Sequence, residues 1–281
     1  MIKMPQKNII LSSLKESFLL IQKNKLLFIF LIISQIAFFA AFSLISLNYI
    51  PKMVESEKAI ADYMGGQQLD EASVASRIMQ KKGILGDDPL SISRNFNDIK
   101  GNFRAYTAYT FVLLIISGSI IWAMTSRMVY GKKFSSLTKI FLKKMAIMLC
   151  YLGLIFSFFF SLLDISAMDA AEESSKIFSK YIPLLVFSIA LFYFMLVSLS
   201  LPQDTEFKNI VQQTLSIGIR KWHYLMAAYA VNLSLLSLSA FLFYYSIDKN
   251  LFLLFLSPII LVCSMMFGRV FLVSLVKRIK T

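Results

Sequence analysis

The feature that most constrains this chain is a set of long, almost uninterrupted apolar stretches. About 18 or more such residues cross the ~30 Å hydrocarbon core of a bilayer as a helix. The stretches are uniformly apolar and do not alternate, which predicts helices and not barrel strands. We therefore expect an all-α integral membrane protein with six transmembrane helices, within 26–50, 106–126, 145–163, 182–201, 222–245 and 251–276.

The overall composition agrees with a chain that lies in lipid. Of its 281 residues, 57% are hydrophobic and 16% are charged, whereas soluble domains carry about 25% charged residues. The first apolar stretch is also far longer than the roughly 7–15 apolar residues of a signal peptide. We interpret it as a retained span.

The distribution of charge predicts the orientation. One side comprises the N-terminal segment, the second and fourth connections, Arg269 and the C-terminal tail, and it holds 18 of the 29 Lys and Arg residues against three acidic residues. The other side holds 11 basic and 13 acidic residues. The positive-inside rule then places both termini in the cytoplasm and residues 51–105 outside it. Because the basic residues are scattered along helix ends, anionic lipid headgroups are the expected partners and nucleic acid is not.

An amphipathic pattern precedes the first, third and fifth spans. In each case apolar positions at helical spacing lead to basic residues at the membrane. This pattern is typical of a helix that lies in the interface and turns into the bilayer at its basic end, which we call an elbow. The candidate lipid-headgroup contacts at these ends are Lys23, Lys25, Lys143, Lys144, Arg220 and Lys221.

The elbows predict three repeated units, each an elbow followed by a helical hairpin. Residues 1–50 hold the first elbow and span, 51–105 form an insertion, and 106–281 hold the other five spans, with elbows near 134–144 and 205–221. The alternative is that any short cytoplasmic loop is basic and somewhat amphipathic. The insertion is too long for a structureless connection. It should form a small helical region outside the cytoplasm, with one helix broken at Gly65–Gly66, one capped by Asp70, and one with Asp88 as its N-cap and Pro89 as its first position that continues into the second span.

Groups that carry chemistry are scarce inside the spans. We identify no catalytic, cofactor-binding or metal-binding residues: Cys150 and Cys263 fall inside spans, and His223 lies among interfacial aromatic residues. The intramembrane polar residues are Gln35, Asn232 and Asp164. For the two amides, a hydrogen bond to another helix is the expected role, and contact with a substrate is the alternative.

Small residues form a stripe along the third span, with spacings of four, three, four and four. Such a stripe lets two helix backbones approach closely. Shorter stripes in the first and fifth spans, the latter at Ala230, Ser234 and Ser237, favour a bundle with the odd-numbered spans at its centre. The alternative is a polar path that ends at Asp164. The packing stripe consists of Ala146, Cys150, Gly153, Ser157 and Ser161.

Three segments, SSLKESFLLIQKNKLLF, YGKKFSSLTKIFLKKMAIML and FKNIVQQTLSIGIRKWHYL, carry a family resemblance. The chain resembles a broad group of six-span prokaryotic membrane proteins, similar to the membrane domain beside some glycerophosphodiester phosphodiesterases. That resemblance implies no enzymatic residue, because no catalytic barrel follows. The chain also resembles permease subunits of export-type ABC transporters, in which residues 134–144 would dock an ATPase.

These observations favour a non-enzymatic membrane protein. We expect a scaffold or lipid-interacting subunit of a membrane assembly, with a membrane-protein partner or a second copy of itself. The alternative is a permease subunit of an ABC-type transporter.

Overall fold

The computed structural model describes residues 9–65, 90–131, 136–169, 174–202, 206–247 and 251–280. All regular secondary structure among these residues is helical, which confirms the all-α fold class for this part of the chain. The helices are α1 (Ile9–Lys23), α2 (Lys25–Gly65), α3 (Leu90–Tyr130), α4 (Leu137–Asp169), α5 (Ser174–Ser200), α6 (Phe207–Arg220), α7 (Trp222–Ser246) and α8 (Leu251–Lys280).

Six of these helices, α2, α3, α4, α5, α7 and α8, are long and apolar enough to cross a membrane. Each overlaps one of the apolar stretches identified in the sequence. Helices α1 and α6, with 15 and 14 residues, are shorter than the roughly 20 residues that a span requires. The chain is therefore a multi-pass integral membrane protein, as the sequence predicts.

Two of the three predicted elbows are separate helices. A single residue, Asn24, separates α1 from α2, and a single residue, Lys221, separates α6 from α7. The segment 134–144 differs, because α4 begins at Leu137 and continues without a break to Asp169. No Gly or Pro lies between Leu137 and Leu152 to stop the helix. The prediction of a separate second elbow is wrong for the described residues.

The described residues of Phe38–Leu113 form a compact unit of their own. The rings of Tyr49 on α2 and Tyr109 on α3 stack with centroids 5.8 Å apart, and the hydroxyl groups of Ser46 and Tyr106 lie 3.5 Å apart. α2 continues into the predicted insertion and ends at Gly65, and α3 begins at Leu90, one residue after the predicted first position, and continues into the second span. The helix expected near residue 70 lies outside the described residues.

The other unit, residues 1–37 and 114–281, is built around α8. In the most apolar part of α8 56% of the residues are buried, compared with 28% in α4, 22% in α5 and 17% in α7. The run from Val270 to Val276 is buried throughout. The sixth span is thus the most buried of this unit, and the prediction that the third and fifth spans lie at the centre is wrong here.

Helices α7 and α8 form the main hairpin of this unit. Asn232 Nδ2 donates to the Gly268 carbonyl at 3.1 Å. The hydroxyl groups of Ser239 and Ser264 lie 2.7 Å apart, and those of Ser246 and Ser257 lie 2.8 Å apart. The three α7 residues are spaced by seven, so they lie along one face of the helix. These pairs place a hydrogen bond at each of three levels of the hairpin.

Candidate functional site

The residues that join most helices to one another lie at the end of the bundle that the charge pattern assigns to the cytoplasm. Lys144 is at the centre of this cluster. It lies in the third turn of α4, on the same face as the buried residues Ile140, Ile147 and Met148, and it is only 1% exposed. Its Nζ donates to the carbonyl oxygens of Leu199 and Leu201, at 2.5 Å and 3.2 Å.

These carbonyls lie at the C-terminal end of α5, which explains why a lysine can be buried there. The last carbonyl groups of a helix have no intrahelical donor, and the helix dipole favours a cation at that end. The carbonyl of Ser200, between the other two, accepts a hydrogen bond from the Tyr130 hydroxyl at 3.0 Å. Three successive carbonyls of the α5 terminus are thus capped from α3 and α4.

Helix α6 is joined to the same end of α5. The Ser198 hydroxyl lies 3.1 Å from the Tyr151 hydroxyl of α4 and 2.9 Å from the Thr214 hydroxyl of α6. One turn further along α6, Tyr193 donates to the Gly218 carbonyl at 2.7 Å. A Cβ at Gly218 would lie 2.8 Å from the Phe194 ring, so glycine is needed for this close approach.

Helix α1 is attached to the last turns of α8 through charged groups. Glu16 accepts from Arg278 Nε at 2.6 Å and from Lys277 Nζ at 3.4 Å. Partial burial alone would raise the pKa of Glu16, but the hydrogen bond and charge of Arg278, together with Lys277, hold it below its ordinary value of 4.5. Arg278 also donates to the Ser12 hydroxyl at 2.8 Å.

Lys277 connects this contact with the rest of the cluster. Its Nζ donates to the Val129 carbonyl at 3.2 Å and lies 6.0 Å from the centre of the Tyr130 ring. Since Tyr130 binds the end of α5, one continuous set of contacts links α1, α8, α3, α5, α4 and α6. We call it the end network. The hydrogen bonds and ion pairs of the end network hold helix ends in place. No group of three His, Cys, Asp or Glu residues suited to a metal occurs among the described residues.

The six residues predicted to contact lipid headgroups fall into two groups by their exposure. Lys23, Lys25 and Arg220 are exposed, and Lys143 and Lys221 are partly exposed. Lys144 is buried against the α5 carbonyls, so the prediction of a headgroup contact is wrong for this residue. Nothing in the local sequence indicates that Lys144 is buried, because the carbonyl groups that it binds lie 55 and 57 residues further along the chain.

The small-residue stripe of α4 lies away from the buried face of this helix. Cys150 and Ser157 are exposed, and a Cβ at Gly153 would meet nothing within 4 Å. Ala146 is partly exposed, and the side chain of Ser161 lies outside the described residues. Large residues, and not Cys150 or Gly153, form the buried face of α4, and packing of the complete stripe stays a prediction.

The predictions for the three intramembrane polar residues have different outcomes. Asn232 bonds a neighbouring helix, as predicted. Gln35 is buried, but its Oε1 has no hydrogen-bond partner, so the interhelical bond expected there is not formed by that atom. The side chain of Asp164 lies outside the described residues, which leaves the polar path untested.

Sequence reasoning missed Glu16, Tyr130 and the serine pairs of α7 and α8. For the serine pairs, the one available signal is the seven-residue spacing of Asn232, Ser239 and Ser246. No family model matches the chain, and comparisons with curated proteins and with solved structures give no match either.

Proposed function

We propose that the protein is a non-enzymatic scaffold that binds anionic lipids at the cytoplasmic face of its membrane. The observation that carries the proposal is the inverted polarity of α1. The face of α1 that is buried contains Ser13 and Ser17, both without exposed surface, whereas Leu11 and Phe18 are 67% and 54% exposed. In water this arrangement would be unfavourable, but in the interface it places the apolar side chains at the acyl boundary.

Basic side chains complete this surface. Lys15, Lys23 and Lys25 are exposed on or just after α1. A lysine close to an anionic membrane contributes about 1 kcal/mol to its attraction. Apolar burial and charge thus act together at α1, which is the combination that interfacial helices use.

Helix α6 offers a second surface of the same kind. Val211, Leu215 and Ile219 are exposed at four-residue spacing, and the exposed Trp222 follows at the start of α7. On the opposite face Ile210 and Ile217 are buried. The end network attaches α1 and α6 to the spans, so both surfaces belong to the same end of the bundle, which is what a scaffold requires.

The permease alternative has less support. It requires residues 134–144 to project as a docking element for an ATPase. The described part of this segment is the beginning of α4, and the ammonium group of Lys144 is held at the end of α5. Replacing Lys144 would therefore disturb the fold before it disturbed any docking.

Reconstitution with defined lipids tests the proposal. The chain is placed in nanodiscs that mix phosphatidylcholine with phosphatidylglycerol, and the enrichment of phosphatidylglycerol around it is measured by mass spectrometry. The double substitution of Lys15 and Lys23 by Glu should reduce the enrichment. The same change at Lys52 and Lys58, exposed residues on α2 that are assigned to the opposite side, should leave it unchanged. Equal enrichment in both variants, or movement of a solute across liposomes by the purified chain alone, would refute the proposal.

A further inference from the structure

Arg269 is a charged residue inside a membrane span. It precedes Lys277 of the end network by eight residues in α8, which is about 12 Å along a helix. Half of a hydrocarbon core measures about 15 Å, so Arg269 lies in the middle part of the span. The Cα–Cβ bonds of a helix also tilt toward its N-terminus, which for α8 is the end away from the end network. Arg269 is therefore poorly placed to reach the headgroups at the near end.

The guanidinium group of Arg269 lacks a partner in the described part of the chain. Its Nη1 atom is buried and forms no hydrogen bond there. A buried charge without a partner is costly, and charged groups within spans normally pair with one another or with backbone carbonyls. The unpaired Arg269 therefore indicates that its partner comes from outside the chain.

The spans of this chain do not supply a carboxylate at the depth of Arg269. Glu16 precedes the first span and is held by the basic residues at the end of α8. Asp164 follows Lys144 by 20 residues in α4, about 30 Å along a helix, and so belongs to the opposite end of that span. The other parts of the spans contain no Asp or Glu, namely 17–54, 99–163, 174–203, 207–247 and 249–281. A second copy of the chain lacks the same group and cannot pair with Arg269 either.

One face of α8 leads from the exposed part of the helix to Arg269. Four residues follow one another at spacings of three, four and four, which places them on one face of a helix. They are Pro258, Leu261, Met265 and Arg269. Pro258 is exposed and the other three are partly exposed, whereas Val276, which continues this face toward the end network, is buried. A helix that lies along this face therefore reaches Arg269 from the N-terminal half of α8.

We propose that this face of α8 binds a transmembrane helix of a partner protein, and that an Asp or Glu near the middle of the partner helix pairs with Arg269. A lipid phosphate lies at the headgroup level, whereas a carboxylate on a helix can lie at the depth of Arg269. The apolar residues that precede Arg269 on the same face suit contact with such a helix. The inference goes beyond the lipid-binding surface of α1, because it needs only that α8 crosses the membrane.

Association with probe helices in phosphatidylcholine vesicles tests the inference. Each probe is a leucine-rich transmembrane peptide with Glu, Gln or Leu at its central position, present at low density in the vesicle. Energy transfer between a labelled probe and the labelled full chain measures binding for the original chain, Arg269→Met and Arg269→Lys. Lys25→Met, which removes a charge at an exposed position of α2, is the matched control.

We expect the Glu probe to bind about tenfold more tightly than the Gln probe, which corresponds to about 1.4 kcal/mol and to the strength of polar contacts between helices in model peptides. The preference should disappear in Arg269→Met and persist in Arg269→Lys and Lys25→Met. Equal binding of the Glu and Gln probes, or a preference that persists in Arg269→Met, would overturn the inference. Loss of the preference when phosphatidylglycerol replaces phosphatidylcholine would assign Arg269 to lipid phosphates and overturn it as well.

Unfolding of the chain in mixed micelles, without a probe, separates pairing with a partner from a structural role. An apolar side chain in place of an uncompensated buried charge is neutral or stabilising, so Arg269→Met should unfold at the same or a higher denaturant concentration than the original chain. Clear destabilisation would mean that Arg269 is already paired within the chain, which would overturn the inference. None of these results depends on the phosphatidylglycerol enrichment at α1, so the inference and the proposed function can fail separately.

Discussion

At the scale of single residues, the end network buries the side chain of Lys144. A buried ammonium group is stable only when hydrogen bonds replace its lost water, and the carbonyls of Leu199 and Leu201 supply them. The benefit is mutual, since those carbonyls lie at a helix end and would otherwise lack donors. Lys144 therefore acts as a cap for α5 supplied by another helix.

Replacing Lys144 by Met keeps the length of the side chain and removes the donor. We expect the free energy of unfolding to fall by about 1–3 kcal/mol, because buried carbonyl groups lose their partner. Unfolding in mixed micelles, followed by circular dichroism, measures the change. Lys143→Met, at a partly exposed neighbouring position, is the control and should have a smaller effect. Equal effects of the two substitutions would contradict the capping role.

At the scale of helices, the α7–α8 hairpin depends on a close approach at Gly268. A Cβ at this position would lie 3.0 Å from Cγ and Oδ1 of Asn232. Gly268→Ala should therefore be less favourable than Gly153→Ala by about 1–3 kcal/mol, because the Asn232 side chain has to give way. Gly153→Ala is the matched control, because a Cβ at Gly153 meets nothing within 4 Å, and it should be neutral or stabilising.

A double-mutant cycle identifies the cause of that effect. Asn232→Ala removes the crowded atoms and one interhelical hydrogen bond, a loss of about 0.6 kcal/mol on average in membrane proteins. Gly268→Ala should then cost clearly less in the Asn232→Ala background than in the original chain, as judged by unfolding in mixed micelles. Additive effects of the two substitutions would show that contact with the Asn232 side chain is not the reason why position 268 needs glycine.

The docking of α1 on α8 should depend on pH through Glu16. A carboxyl group whose pKa is lowered by folding stabilises the folded form above its unfolded pKa, and this contribution is lost as the pH falls below 4.5 through the folded pKa. The side chains of Lys277 and Arg278 are each 38% exposed, so solvent screening limits the contribution to at most about 1 kcal/mol.

Hydrogen exchange of the α1 amides measures this dependence. We expect protection at neutral pH to exceed that at pH values below 4.5, after correction for the intrinsic exchange rate. Glu16→Gln should have low protection at neutral pH and no step on acidification. A step that persists in Glu16→Gln would assign the pH dependence to another group.

At the scale of the whole molecule, the sequence predicts the spans well because hydropathy along the chain is sufficient to find them. It does not predict which helix faces pack. The exposed Ser234 of α7 shows why, since its hydroxyl donates to the Ala230 carbonyl of its own helix at 2.9 Å and needs no neighbour. Lys144 shows the same limit for charge, because a basic residue that caps a distant helix has the same local pattern as one that contacts lipid.

The charge distribution of the whole chain makes a prediction about topology that single-cysteine labelling can test. With Cys150 and Cys263 replaced by Ala, Lys15→Cys and Lys58→Cys each place one thiol at an exposed position of α1 or α2. The positive-inside rule predicts that a membrane-impermeant maleimide labels position 58 in intact cells and position 15 only after permeabilisation. The reverse pattern would put the end network outside the cytoplasm, and the basic residues of α1 would then face a leaflet poorer in anionic lipid. Labelling of both positions in intact cells would mean an even number of crossings between them, and α2 could not be a span.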